Sequence, residues 1–460
     1  MTTRAIVLAA GKGTRMKTDL PKVLHPAAGR PLISWVSDAV IAAGIDEVVV
    51  VIGHGAEAVA ASLPEGARTV VQEPQDGTGH AALVAVEAMG DIAGDTLLVV
   101  PGDSPLMTSE TLAALLAAHA DNDAACTLLT ARLPDPTGYG RVIRDGDRVT
   151  AIVEESDADD AQRAIDEVAV STYVFDGAPL RESLAQIGTD NRQGEMYLTD
   201  AIALLAGAGG VEALAAAEPE EVLGVNSHEQ LATVNGVLRD RLNRLLMDEG
   251  VWMQDPSRIY VEATVTVESG ARLYAGTHLE GATTVAADAE VGPDVFARDT
   301  SIGAGARVWY SVVRGADIGP EVEVGPYASL RPGTVLRRGS KAGTFVEMKA
   351  TTVGEGTKVP HLSYLGDATV GERSNIGAGT ITCNYDGFEK HETVIGDRVF
   401  VGSDTMLVAP VEIGDGAFTG AGSVITRDVA PGALAVERSP QKEIPGYADR
   451  KARLAESEDD

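Results

Sequence analysis

Residues 267–292 read VESGARLYAGTHLEGATTVAADAEVG, and an aliphatic residue returns at every sixth position: Val267, Leu273, Leu279, Val285 and Val291. An α-helix would rotate residues six apart onto different faces, so no single buried stripe would form. Short strands joined by sharp turns, three strands to a coil, keep every one of these side chains pointing inward. The period recurs in Ile318, Val324, Leu330 and Leu336, and again in Ile395, Val401, Leu407 and Ile413. Glycine follows many of them, as in Val291-Gly292, Ile318-Gly319, Ile376-Gly377 and Val401-Gly402, where the backbone must turn a corner. Residues 250–460 are therefore predicted to wind into a parallel β-helix of hexapeptide repeats. The longest break in register, NYDGFEKHET at 384–393, is polar and predicts a protruding loop.

Before the repeats, residues 229–249 carry charges with apolar residues at helical spacing. They predict one connecting helix, with Ser227 as N-cap and Gly250 as its stop. Residues 1–228 alternate apolar runs (Ala5–Ala9, Val48–Ile52, Thr69–Val71, Leu97–Val100) with helical patterns at Pro31–Ala43, Thr78–Met89 and Ser109–Ala120. The runs are too continuous for two-faced hairpins and read as buried strands of a mostly parallel α/β sheet. Ligands of such sheets sit beyond the carboxyl ends of the strands. The charged end, Arg450–Asp460, is expected to fray.

The 460 residues exceed one ordinary core, and 51 glycines with only 4% aromatics suit a repeat of tight turns. A net charge of −31 disfavours nucleic acid and anionic membranes as partners, although solubility or a salty habitat explains the acidity more simply. Cys126 and Cys383 fit no disulfide or zinc pattern, which points to a reducing cytoplasm. The first apolar run is too short for a signal peptide, and no stretch approaches transmembrane length.

Directly after the first strand comes Leu8-Ala9-Ala10-Gly11-Lys12-Gly13-Thr14-Arg15-Met16, then Leu20-Pro21-Lys22. Glycines there let backbone N–H groups approach a phosphate, and Lys12, Arg15 and Lys22 add charge. The spacing fits neither the dinucleotide fingerprint nor the P-loop. With Gln72, Gly77-Thr78-Gly79-His80, Pro101-Gly102-Asp103, Gly138-Tyr139-Gly140-Arg141, Glu154 and Gly224-Val225-Asn226, the string resembles the nucleotidyltransferases that make nucleoside-diphosphate sugars. The resemblance implies a Rossmann-like domain. Leu8, Ala9, Ala10, Gly11, Lys22, Gln72, Gly77, Thr78, Pro101, Gly102, Asp103, Gly140, Glu154 and Asn226 would bind UTP or the UDP-sugar. Asp103 and Asn226 would hold Mg²⁺, and Arg15 and Lys22 would serve catalysis.

In the repeats, Arg331 and Lys349 lie eighteen positions apart, one coil, so they stack on one face. Two cations with no acid beside them read as a phosphate grip. His361 offers a general base for an amine attacking an acetyl thioester. Together with Leu330-Arg331-Pro332-Gly333, His361-Leu362-Ser363-Tyr364 and Asn375-Ile376-Gly377-Ala378-Gly379-Thr380, the whole chain resembles the bifunctional N-acetylglucosamine-1-phosphate uridylyltransferases/glucosamine-1-phosphate acetyltransferases. That family implies a left-handed β-helix, and it implies cell-wall precursor synthesis in the cytoplasm and a homotrimer. It also implies that Arg331, Lys349, Tyr364, Asn375 and Lys390 bind the amino-sugar phosphate. Ala378, Asn384, Tyr385, Ser403, Ala421 and Arg438 would bind acetyl-CoA.

One departure stands out. The family's Asn-x-Gly is replaced by Ala169-Val170-Ser171; Ala169 supplies no amide, and Ser171 is not expected to adopt glycine's backbone angles. Three readings follow: a bifunctional enzyme, a nucleotidyltransferase on an inert solenoid, or an acetyltransferase with a decayed N-terminal unit. Arg331, Lys349 and His361 weigh against the second, and Arg15, Lys22, Asp103 and Asn226 against the third.

Overall fold

A computed structural model describes residues 2–64, 66–208 and 210–456. The chain divides between Arg244 and Leu245 into two compact units.

The first unit is built on a sheet with strand order Val211–Ala215, Cys126–Arg132, Glu167–Asp176, Thr96–Pro101, Thr3–Ala9, Glu47–Ile52, Arg68–Val71. Thr3–Ala9 pairs in parallel with both Glu47–Ile52 and Thr96–Pro101. Glu167–Asp176 runs antiparallel to both of its neighbours in that order. Both faces are covered, which explains the unbroken apolar runs. Ile6, Val49 and Leu97 pack with Ala82 and Val86 of the helix Thr78–Met89. Ala5, Val7, Val50 and Leu98 pack on the other side with Val36 and Val40 of the helix Leu32–Ala42. Arg68–Val71 departs from the expected burial, because it closes the sheet with a neighbour on one side only and leaves Val71 half exposed.

A helix spans His228–Asp248. The Gln230 N–H donates to the Ser227 hydroxyl at 3.2 Å, and Gly250 takes a φ of +97°, a left-handed value suited to the chain leaving the helix. Val234 and Leu238 of this helix share a core with Met16, Leu32, Leu106 and Val225.

The second unit is a coil of parallel strands, mostly two or three residues long, in three lines. Tyr260 aligns with His278 and His278 with Phe296, eighteen residues per coil. The sixth-position aliphatics fill its centre: Val267, Leu273, Leu279, Ile318, Leu330, Val401 and Ile413 are all buried. Ile381 aligns with Met406, a step of twenty-five, because residues between them leave the coil as the expected loop. Asp386 organises that loop: its carboxylate accepts the N–H groups of Phe388 and Glu389 at 2.8 and 2.7 Å and faces His391 at 2.8 Å. These bonds hold the Asp386 carboxyl well below the usual carboxylate range.

The expected fraying of Arg450–Asp460 is corrected in part, because Tyr447–Glu456 is an exposed helix. Arg450 lies over the Tyr447 ring at 5.3 Å, a pairing one turn apart that supports it. Residues 457–460 of that prediction lie outside the described residues.

Candidate active sites

The cleft of the first unit opens at the carboxyl end of Thr3–Ala9. Gly13, at a φ of +59°, starts the short turn Thr14–Met16, and a β-carbon on it would lie 2.7 Å from Lys22 Cβ. Only glycine lets that loop close over Lys22. The cleft encloses about 760 Å³. Leu8, Ala9, Ala10, Gly11, Arg15 and Lys22 line it from the first loop. Gln72, Gly77 and Thr78 line it from the second, and Pro101, Asp103 and Asn226 from a third side. Gln72 stiffens the second loop by donating to the Gly77 carbonyl at 2.9 Å.

Three of the sequence-predicted residues stand outside this lining. The Gly102 N–H is spent on the Leu8 carbonyl at 2.9 Å. Gly140 pairs with Ala169, and a β-carbon on it would come 3.6 Å from the Glu154 carboxylate. Burial raises the Glu154 carboxyl above its ordinary value, partly offset by the Thr199 hydroxyl donating at 3.0 Å.

The Lys22 ammonium forms an ion pair with the Asp103 carboxylate and donates to Asn226 Oδ1 at 3.0 Å. A carboxylate and an amide oxygen thus converge on one positive charge. They are the hard oxygen donors that suit Mg²⁺, so Asp103 and Asn226 could hold that ion. No cluster of three or more His, Cys, Asp or Glu with metal-site geometry occurs among the described residues, and this two-oxygen set needs none.

On the solenoid, the register sets Ser329 beside Glu347 and Leu330 beside Met348, and the Arg331 N–H donates to the Met348 carbonyl at 2.9 Å. Arg331 and Lys349 are therefore one coil apart on the same line. The expectation that they lack acids is corrected. Arg331 pairs with Glu347 at 3.0 Å and Lys349 approaches Asp367 at 4.0 Å, because adjoining coils bring acids from other hexapeptides alongside. Lys390, from the loop, is held below the ordinary lysine range, chiefly by the neighbouring Lys349 ammonium. Tyr364 aligns with Glu347, and its hydroxyl lies over Gly366, where a β-carbon would sit 2.3 Å away. The Asn384 amide reaches the same spot and donates to Asp367 at 2.5 Å. Lys349, Tyr364, Lys390 and Asn384 thus gather around Asp367.

His361 ends the strand Lys358–His361 on another line of the coil, aligned with Thr344, and is exposed. Asn375 follows in that same line, aligned with Lys358. Ala378, Ser403, Ala421 and Arg438 climb one corner. The Ala378 carbonyl accepts the Asp404 N–H at 2.6 Å, the Ser403 carbonyl accepts the Gly422 N–H at 2.8 Å, and Arg438 donates to the Ala421 carbonyl at 2.7 Å. Tyr385 is exposed on the loop.

Residues 5–172 match the model of the MobA-like NTP transferase domain, and residues 392–427 match that of the bacterial transferase hexapeptide (six repeats). The bifunctional protein GlmU of Streptomyces coelicolor is 51% identical over 452 residues, covering 97% of this chain and 94% of its own. That of Desulfitobacterium hafniense (strain DSM 10664 / DCB-2) is 46% identical over 450 residues, covering 98% and 99%. The chain belongs to the bifunctional GlmU family. As a GlmU-family member it is an enzyme that joins a nucleotidyltransferase unit to a hexapeptide transferase unit.

Against the GlmU pattern, Ser171 brings a second correction: it does adopt the left-handed backbone, at a φ of +55°. The strand pairing slips between Ala169 and Tyr173, and the resulting bulge imposes the conformation that serine would otherwise avoid. Ser171, Tyr139, Gln75 and Glu195 also line the cleft, although sequence reasoning did not single them out as ligand contacts. Gln75 Oε1 is buried with no hydrogen-bond partner, a feature that only coordinates reveal. Asp367 lies three residues beyond the quoted run His361–Tyr364.

Proposed function

We propose that the chain transfers acetyl from acetyl-CoA to glucosamine 1-phosphate at the solenoid, then UMP from UTP to the product in the first unit. The outputs are UDP-N-acetylglucosamine, a cell-wall precursor, and pyrophosphate. Residues 1–228 form the uridylyltransferase, 229–249 the connecting helix and 250–460 the acetyltransferase. The observation that carries this reading is that each unit sets two cations in one place, Lys22 and Arg15 lining the first cleft and Lys349 beside Lys390 on the solenoid, which supports the handling of anions at both.

In the first unit, a sugar-phosphate oxygen attacks the α-phosphorus of UTP and pyrophosphate leaves. Bound Mg²⁺, held by Asp103 and Asn226, would offset triphosphate charge. Lys22, released from Asp103, and Arg15 neutralise the phosphates, and the backbone of Leu8–Gly11 lies where the nucleotide enters. In the solenoid, Arg331, Lys349 and Lys390 hold the phosphate, with Tyr364 and Asn375 on the sugar. His361 takes the proton from the amine as the C–N bond forms and the thioester C–S bond breaks. Ala378, Asn384, Tyr385, Ser403, Ala421 and Arg438 line the acetyl-CoA path.

The protein acts in the cytoplasm as a homotrimer. Tyr310, Tyr327 and Phe345 support the trimer, since they climb one corner of the solenoid as exposed, mutually packed rings with centroids 5.8 and 5.4 Å apart. No helix is long and apolar enough to cross a membrane among the described residues.

The test follows free thiol and pyrophosphate separately after glucosamine 1-phosphate, acetyl-CoA, UTP and Mg²⁺ are mixed with the protein. Thiol should appear first and pyrophosphate after a lag. Thiol alone would leave only an acetyltransferase, and neither product would remove the proposal.

A further inference from the structure

Ser171 occupies a backbone region that a serine rarely enters. Its φ is +55°, it is exposed in the cleft, and Ala169, Val170, Thr172 and Tyr173 around it are all buried. The strand that carries it advances from Ala169 to Tyr173 while its partner Cys126–Arg132 advances only from Thr130 to Leu128. The bulge therefore pushes one hydroxyl into the cleft at the expense of backbone strain. Strain held at a cleft wall is a pointer to a role there.

The surroundings say which part of a ligand Ser171 meets. Cations gather on the opposite loop, at Lys12, Arg15 and Lys22. Near Ser171 the charges are acidic: Glu154 acts on the neighbouring Tyr173, and Asp157 and Asp200 act on Glu154. Phosphate is repelled there, whereas a neutral polyol finds acceptors. The deeply buried Tyr173 phenol, pushed far above its ordinary range by burial, stays protonated and interacts with the Ser171 side chain by a hydrogen bond. The Ser171 hydroxyl is the donor in that bond, since the bond lowers the phenol's pKa, and its oxygen keeps lone pairs that can accept from a hydroxyl in the cleft.

We infer that Ser171 is a sugar-contacting residue, its hydroxyl bonding a ring hydroxyl of the sugar phosphate on the wall where Ala169 supplies no polar group. This rests on the uridylyl-transfer reading of the first unit. It makes Ser171 a specificity determinant that came with the loss of an amide two residues earlier.

The experiment compares the native chain with Ser171→Ala and Ser171→Gly in pyrophosphate release, varying N-acetylglucosamine 1-phosphate and UTP in turn. Both variants lose one hydrogen bond, so the KM for the sugar phosphate should rise by about three- to tenfold while that for UTP holds. Ser171→Gly should also melt at a higher temperature than the native chain, because glycine accepts the left-handed backbone, and Ser171→Ala should not. An unchanged sugar-phosphate KM in both variants would make the hydroxyl irrelevant and overturn the inference, whatever the melting temperatures. A native chain that releases no pyrophosphate at all would instead remove the reading of the unit, and this inference with it.

Discussion

Gly366→Ala offers a sharp separation of the two activities. Gly366 lies on the strand Tyr364–Val370, aligned with Lys349. A β-carbon there would stand 2.3 Å from the Tyr364 hydroxyl and 2.8 Å from the Asn384 amide nitrogen. Comfortable contact begins near 3.5 Å, so the phenol must retreat by roughly 1 Å and the amide must follow. Overpacking of this kind costs about 1–3 kcal/mol of stability. The functional cost is greater, because a 1 Å misplacement of groups that position a substrate lowers a rate by about a hundredfold. Thiol release from acetyl-CoA with glucosamine 1-phosphate should therefore fall about a hundredfold, while pyrophosphate release from UTP with pre-acetylated sugar phosphate stays unchanged. A folded variant with native thiol release would refute the placement of the amino sugar at Lys349 and Tyr364 and of acetyl-CoA at Asn384.

His361→Ala should abolish thiol release and spare pyrophosphate formation; loss of both in a folded protein would show that the sites are coupled. Asp103→Asn should weaken Mn²⁺ binding measured by calorimetry in the absence of nucleotide, and undiminished binding would place the metal elsewhere. The Arg144 guanidinium holds the Glu167 carboxyl below its ordinary value through bonds of 2.7 and 2.8 Å. Its contribution is thus complete above the unfolded carboxylate pKa near 4.3 and fades as pH falls toward the folded value. Arg144→Ala should cost about 1–3 kcal/mol at neutral pH and progressively less in acid, as read by urea unfolding across pH; a penalty independent of pH would contradict the pairing.

The solenoid was the most legible part of the chain, because its period fixes which side chains enter the core: Val267, Leu330 and Val401 needed no knowledge of distant residues. The parallel sheet was nearly as plain, except at Arg68–Val71, where edge position depends on strand order rather than on composition. The first cleft was readable because Leu8–Lys22 is a local string at a strand end. Pairwise electrostatics was not. Glu347 and Asp367 reach Arg331 and Lys349 only through the stacking of coils, a relation between residues about a turn of the solenoid apart. The Ser171 backbone was misjudged for a similar reason: propensity disfavours its φ, and the slipped pairing with Cys126–Arg132 imposes it.

The central claim is that two transfers occur in sequence on one chain, with acetylation supplying the acceptor for uridylyl transfer. Pyrophosphate release from UTP, Mg²⁺ and glucosamine 1-phosphate should be negligible without acetyl-CoA and appear once it is added. Equal pyrophosphate release with and without acetyl-CoA would contradict that order.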